Sequence, residues 1–432
     1  MAATPGVTRL GAAGLLSELG DWLMMVALPL FVLELTDSAP LTAVVFALQL
    51  APTVLLGTAA GVLVDRMNPW RLMAAVAGGQ AAVLLGLLAV DGRADLWLLF
   101  VVVVLQAVLS TVIEPARLVQ ASALVRPDDF ATLNQAMGVL SSLARLVGAP
   151  LGGLVLGLCG INGVVVVAVS LYAVTAVVFL LGRRTATTPR SDASLDRAQG
   201  LAAVWADWRE GLAVIAHTPA LRRLLAVTAV SSVAQGAFVV LFVLFVLRDL
   251  DGSQADVGLL RGVQAVGALL GGVALVGLLG RWQPARMLSW SLFLFAGLSL
   301  AIWNAPVVTT ETGVYAVLFA LVGVPGLAAW TALVTMLQSL SDDASRGRVV
   351  STFFAVQGAA QALGMLVAGF AEGSIGLGPA LQAQASLHLL AAALSLRPAR
   401  IPAAAGASRR VRAAPPGQPG RRRPPGSRPR RS

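Results

Sequence analysis

Glu18 and Asp21 stand three residues apart in the run "LLSELGDWLMM", residues 15–25, with apolar residues on both sides. Residues i and i+3 share one face of a helix, so a helix here carries both carboxyls on one side. If the helix begins near residue 11 and rises about 1.5 Å per residue, Asp21 lies roughly 15 Å deep, near the middle of a membrane. Glu18 lies one turn nearer the start. An acid at the centre of a membrane helix costs about 2.5–3.5 kcal/mol to insert. Such a residue is kept where it meets a partner or an internal cavity. There it can take up and release a proton, as a proton-coupled carrier requires. The competing reading is a structural ion pair, with Arg145, mid-span in the fifth apolar stretch, as partner. Asp21 stays open between the two readings. Glu18 reads as the structural member, and Arg145 could serve both by holding the acid charged in one state and releasing it in another.

The elements that must position these groups are membrane helices. The chain has 432 residues, 57% hydrophobic and only 12% charged, against about a quarter charged in a soluble domain. Crossing a bilayer core takes about 20 helical residues. Twelve stretches qualify: 11–34, 41–64, 72–90, 96–116, 132–157, 161–182, 222–247, 255–280, 287–304, 313–338, 349–372 and 379–396. Their long apolar runs favour helices over the ten-residue alternation of a β-barrel. The N-terminus leads into an acid-bearing span and does not read as a removable signal peptide. The expectation is an all-α polytopic membrane protein with twelve transmembrane helices in two pseudo-symmetric six-helix bundles. Residues 1–182 form the first bundle and 222–396 the second. Residues 183–221 form a linker with an amphipathic helix whose Trp205, Trp208, Leu212 and Ile215 suit a membrane interface.

Charge sets the orientation. The net charge of +10 belongs to the tail, where residues 397–432 hold 11 of the 31 Arg and no acid. With both termini inside, interior loops before the tail carry 16 Arg and exterior loops only Arg93 and Arg248, the bias of a cell-membrane protein with cytoplasmic termini. The tail reads as disordered. It could touch anionic lipid, and no folded nucleic-acid module stands behind it. Cys159 is the single cysteine, so a disulfide within the chain is excluded, and His217 and His388 are far apart. No metal or cofactor is expected, and no phosphate-binding loop of the ATPase type occurs. Enzyme chemistry is not expected, because no nucleophile–base or metal constellation sits at membrane depth. A monomer is expected.

The halves echo each other. At a shift of 215, Gln49 matches Gln264, Gly57 matches Gly272, and the R-x-x-P-x-R of Arg66, Pro69 and Arg71 matches Arg281, Pro284 and Arg286. At 216, Gly148 and Gly153 match Gly364 and Gly369. Internal repeats in a helical membrane protein point to a carrier that rocks one half against the other around a midplane site. Small residues and a proline at Gly148, Pro150, Gly152 and Gly153 allow close approach and a bend.

"GVLVDRMNPWR" resembles the loop signature of the major facilitator superfamily, matching at Gly61, Asp65, Arg66 and Arg71. Asn68 departs from it where the family often has Gly. "GAPLGG" (148–153) is similar to the Gly-Pro motif of its antiporter branches. "ELGDW", "IEPARLVQASAL", "LLRGVQAVGALLGG" and "SRGRVVST" resemble its macrolide-efflux and enterobactin-exporter branch. The resemblance covers residues 10–396 and implies a cytoplasmic gate at Gly61, Asp65, Arg66 and Arg71, with Arg117 as partner of Asp65. The second-half copy has Gly280 where Asp65 stands. Trp22, Gln49, Gln235, Phe238, Arg261, Gln264, Trp330, Gln357 and Gln361 are candidates for lining a cavity for an amphipathic solute. The leading expectation is proton-coupled export of a small molecule such as a drug or siderophore, the partners being that solute, protons and the bilayer. A proton-coupled importer and a non-transporting receptor or scaffold are the alternatives.

Overall fold

The computed structural model describes residues 5–125, 130–182, 201–279, 282–342 and 345–396. Within these, the side chains of residues 53–54, 57–59, 61–62, 65–66, 122, 130–132, 134–135, 201–207 and 273–279 lie outside the described set. The basic tail from residue 397 also lies outside the described residues.

Every described element is helical. In order they are α1 (Pro5–Thr36), α2 (Ala39–Arg66), α3 (Pro69–Leu84, continued by a 3-10 turn), α4 (Leu96–Leu124), α5 (Phe130–Gly182), α6 (Leu201–His217) and α7 (Pro219–Leu244, continued by a π turn). Then come α8 (Gln254–Leu279), α9 (Pro284–Asn304), α10 (Thr312–Leu340), α11 (Arg346–Ile375) and α12 (Leu377–Ser395). Eight of these are long and apolar enough to cross a membrane by length and composition. Proline opens α2, α3, α7 and α9 within their first two positions, where its missing N–H costs nothing. Ser38 and Asn68 cap α2 and α3 through their side-chain oxygens.

α5 comprises the two helices expected at 132–157 and 161–182, joined at Gly160, whose φ of 64° is left-handed, a conformation that favours glycine. Gly148 and Tyr172 are equidistant from Gly160 in sequence. Both meet α1 at one level, Gly148 beside Leu19 and Trp22 and Tyr172 beside Gly20. α5 therefore folds back on itself and crosses twice. Counting it twice and leaving out α6, the described helices make the twelve expected passes.

Two faces follow from the contacts. At the near face, where α1 begins, Gly6 meets Leu124 and Gly182 meets the Trp70 ring. At the far face, Arg93 donates to the Leu35 and Thr36 carbonyls at 3.0 and 3.2 Å. α6 is docked at the near face. Glu210 pairs with Arg348 at 3.0 Å, and Ile215 is buried with Leu221, Leu288 and Phe353. The expected interfacial role of Ile215 is thus corrected: its side chain fills a core. Trp205 lies outside the described residues.

The sequence repeat is a repeat of packing. Gly148 abuts the Leu19 carbonyl and Gly364 abuts the Val233 carbonyl, and Leu19 and Val233 are 214 apart. Gly153 rests on Gln254 of α8 while Gly369 rests on Ala39 and Ala43 of α2, with Ala39 and Gln254 215 apart. Asp37 and Asp251 have positive φ after α1 and α7, as Gly160 and Gly376 do before the last pass of each half.

Candidate functional site

Asp21 projects from the middle of α1 into a ring of donors from three other helices. The Tyr172 hydroxyl of α5 donates to Oδ1 at 2.7 Å, Ser110 of α4 at 3.2 Å and Gln80 of α3 at 3.5 Å. Tyr172 reaches it because Gly20 has no side chain; a Cβ there would stand 2.9 Å from the phenol ring. All three bonds fall on one oxygen, so Oδ2 has no protein donor among the described residues. Asp21 borders two cavities. One, of about 220 Å³, is lined by Met24, Met25, Phe46, Gln49, Tyr172, Gln361 and Met365 among others. The second, of about 510 Å³, lies toward the near face and includes Glu18, Trp22, Glu114, Arg117 and Arg145. The carboxyl is neither lipid-facing nor clamped to a guanidinium.

Glu18 has a different partner from the expected one. Its Oε1 is bonded by Arg117 of α4 and accepts from Ser141 of α5 at 2.8 Å. Arg117 also pairs with Glu114 at 2.7 Å. Gly14, one turn before Glu18, leaves room for Arg117, whose guanidinium would lie 3.0 Å from a Cβ there. The expectation that Arg145 pairs with these acids is therefore corrected. Arg145 sits one turn beyond Ser141 on the same face of α5, which carries it past Glu18 and onto Trp22. Its guanidinium lies 5.8 Å from the Trp22 ring, and its Nε is buried without a hydrogen-bond partner.

The remaining cavity candidates divide. Trp22, Gln49, Gln361 and Arg261 line cavities, and Gln49 also donates to the Met24 carbonyl at 3.4 Å. Gln264 accepts from Arg261 at 3.0 Å. Phe238 is corrected: it is 1% exposed, packed among Phe242, Phe295, Trp303 and Phe319. Trp330 is exposed and tilted against Phe354 at 5.9 Å. Gln235 and Gln357 border none of these cavities. Tyr172, Ser110 and Gln80 were not among the sequence candidates. Tyr172 carried a signal, being one of only two tyrosines in the chain and deep in an apolar run.

Of the expected gate, Gly61, Asp65 and Arg66 fall on positions whose side chains are outside the described residues. The Arg71 backbone N–H donates to the Asn68 side chain at 3.3 Å, capping α3. Arg117 is engaged with Glu18 and Glu114; its expected pairing with Asp65 falls on a side chain outside the described residues. The helix-bending motif is a contact surface. A Cβ at Gly152 would stand 2.5 Å from the Leu23 carbonyl, and one at Gly153 2.3 Å from the Gln254 carbonyl. The Pro150 ring meets Gly262 of α8.

At the far face, polar bonds join residues of the first half to residues of the second. Arg248, in the turn after α7, pairs across the halves with Asp37 at 2.9 Å and, within its own half, with Glu372 of α11 at 2.6 Å. Gln254 of α8 donates to Glu34 of α1 at 2.9 Å.

The repeat also shows where the halves differ. Asp21 corresponds to Gln235, 214 residues on, and Tyr172 to His388, 216 on. In the second half His388 is bonded to Gln384 at 3.1 Å, and Gln384 accepts from Trp303. The acid with a cavity on either side is a property of the first half. Among the described residues, no group of three or more His, Cys, Asp or Glu could hold a metal ion.

Known proteins agree with this architecture. An uncharacterized MFS-type transporter of Bacillus subtilis (strain 168), YfiS, is 24% identical over 314 residues, 70% of each chain. Among solved structures, the nucleoside transporter NupG superposes with a TM-score of 0.72 at 12% identity, covering 90% of this chain and 98% of its own. A bacterial homologue of the iron transporter ferroportin in its inward-facing state gives 0.70 at 16%, covering 91% and 98%. A bacterial homologue of the lysosomal transporter Spinster, inward-facing and occupied, gives 0.70 at 15%, covering 90% and 95%. The family model described as transmembrane secretion effector matches residues 7–418. The chain is a membrane transporter of the major facilitator type and belongs to the transmembrane secretion effector family.

Proposed function

We propose that the protein exports an amphipathic small molecule from the cytoplasm in exchange for protons, residing in the cell membrane with its near face and termini cytoplasmic. The observation that carries this reading is Asp21. It is a carboxyl at mid-membrane depth, bonded through one oxygen and bordering two cavities, the larger of which extends to Glu114, whose side chain is 72% exposed. Such a group can be reached by a proton from the cavity. The asymmetry of the repeat supports one coupling acid rather than two. The Arg bias of the near-face loops supports the orientation, and in that orientation the proposed state is open to the cytoplasm and closed outside by the Arg248–Asp37 pair and the Gln254–Glu34 bond. Asp65, Arg66, Arg71 and Gly61 are proposed as the opposing cytoplasmic gate. The apolar and Met-rich lining around Asp21 suits an amphipathic solute.

The test uses everted membrane vesicles energised to be acidic inside and a panel of amphipathic dyes. Accumulation of a dye that collapses with the pH gradient supports proton-exchange export, and dye loss on energisation supports import. Asp21→Asn is expected to abolish gradient-driven accumulation while leaving insertion and thermal unfolding near wild type. Undiminished accumulation in that variant refutes the role of Asp21.

A further inference from the structure

Two guanidiniums from opposite halves line neighbouring cavities that share Trp22, Arg145 the one beside Asp21 and Arg261 a narrow space next to it. Arg145 lies on α5 and Arg261 on α8, and the two helices touch close to both. Gly262 packs on the Pro150 ring and the Leu146 carbonyl. Arg145 is seated on the Trp22 ring. Trp22 lines the same narrow space as Arg261, about 20 Å³ in volume. Arg261 in turn lies 5.1 Å from the Phe238 ring and 5.5 Å from that of Phe242.

Neither has an acid partner among the described residues. The acids along the same cavity have other partners, Glu18 and Glu114 pairing with Arg117 and Asp21 accepting through Oδ1 from Tyr172, Ser110 and Gln80. Arg261 has one neutral acceptor in Gln264, and the buried Arg145 Nε has none. Burying a guanidinium is costly unless an anion or a full set of acceptors compensates it. A fold under no functional demand would place an acid here or no arginine at all. The repeat does not require these residues either, since Gln361 stands at the position of Arg145 and Phe46 at that of Arg261.

We propose that Arg145 and Arg261 form an anion subsite, so that the transported solute is an amphipathic organic anion whose carboxylate, phosphate or sulfonate is gripped between the two halves. Planar guanidiniums fixed on aromatic faces are pre-set for two-point bonding to such oxygens. Trp22, Met25 and Phe46 supply apolar surface beside it. This rests on the reading of these cavities as the transport path.

The test compares two probes of the same ring and nearly the same size, the anionic naphthalene-1-sulfonate and the neutral naphthalene-1-sulfonamide. Binding to the full-length protein in nonionic detergent is measured by calorimetry. The sulfonate is expected to bind about tenfold tighter or more, as charge-assisted hydrogen bonds imply. Arg145→Gln and Arg261→Gln each shrink that preference toward unity, and Arg145→Lys retains part of it. Equal binding of the two probes by the wild type, a preference for the sulfonamide, or no sulfonate binding overturns the proposal without needing a variant. So does a preference that survives both Gln substitutions. Sulfonate preference without proton-coupled flux removes the coupling role of Asp21 and leaves the anion subsite standing. Coupled flux of neutral solutes without sulfonate preference does the reverse.

Discussion

Arg248→Gln should loosen the far face. In the structure this one side chain ties Asp37 and Glu372, which lie on different halves, at 2.9 and 2.6 Å. Asp37 is 83% exposed, so its pair is worth at most about 1 kcal/mol. Glu372 lies on α11 in the same half as Arg248, so that bond holds Arg248 in place and does not cross the halves. Only the Asp37 bond must break when the far face opens. Removing it therefore moves the equilibrium toward the far-open state by at most about 1 kcal/mol, a factor of about 5 in population. The assay is a spin-label distance between Asp91→Cys and Thr310→Cys, both at exposed positions in far-face connections. The background is Cys159→Ser, which removes the only native thiol. The longer-distance population should grow by that factor in Arg248→Gln, and Arg248→Lys should lie between. An unchanged distance distribution in both variants would show that the Arg248–Asp37 pair is an ornament of one conformation and not a latch.

Gly152→Ala should cost about 1–3 kcal/mol, read as a lower unfolding temperature in detergent, because its Cβ would meet the Leu23 carbonyl at 2.5 Å. Gly138→Ala, with nothing within 4 Å of the new atom, should be neutral or stabilise by up to about 1 kcal/mol. Arg117→Gln should destabilise by about 3 kcal/mol by stranding Glu18. Glu18→Gln in the same chain should restore much of that in a double-mutant thermal cycle. Gln384→Leu should cost about 1–3 kcal/mol in the same assay, since it strands the buried Trp303 indole N–H and the His388 ring.

How much could be read beforehand follows from what a linear sequence encodes. Span number and order were legible because bilayer thickness converts directly into the length of apolar runs. The repeat was legible in R-x-x-P-x-R, since Pro69 and Pro284 both open a helix. Glu18 and Asp21 stood out because acids are rare in such runs. Their partners did not, since Gln80, Ser110 and Tyr172 come from three different passes and polar residues of modest size are common in membrane helices. Arg145 was placed at nearly the right depth but given the wrong partner, because sequence fixes height along a helix more tightly than the direction a long side chain takes. Phe238 failed for a related reason. An aromatic ring reads the same whether it faces a cavity or the four rings that enclose it. The break at Gly160 was expected as a loop, yet a single left-handed residue sufficed to turn the chain.

At the seams between the halves, glycines bring main chain into contact. At one, Gly153, Gly258 and Gly262 bring backbone to backbone or to the Pro150 ring; at the other, Gly369 lies on Ala39, Pro40 and Ala43. Where no side chain stands between two backbones, there are few rotamers to unlock when they roll. The two seams are related by the repeat, so together they behave as paired bearings on one axle. The swing of the molecule is then governed by the charged groups at its ends and the cargo between them, while the axle itself stays nearly indifferent to angle.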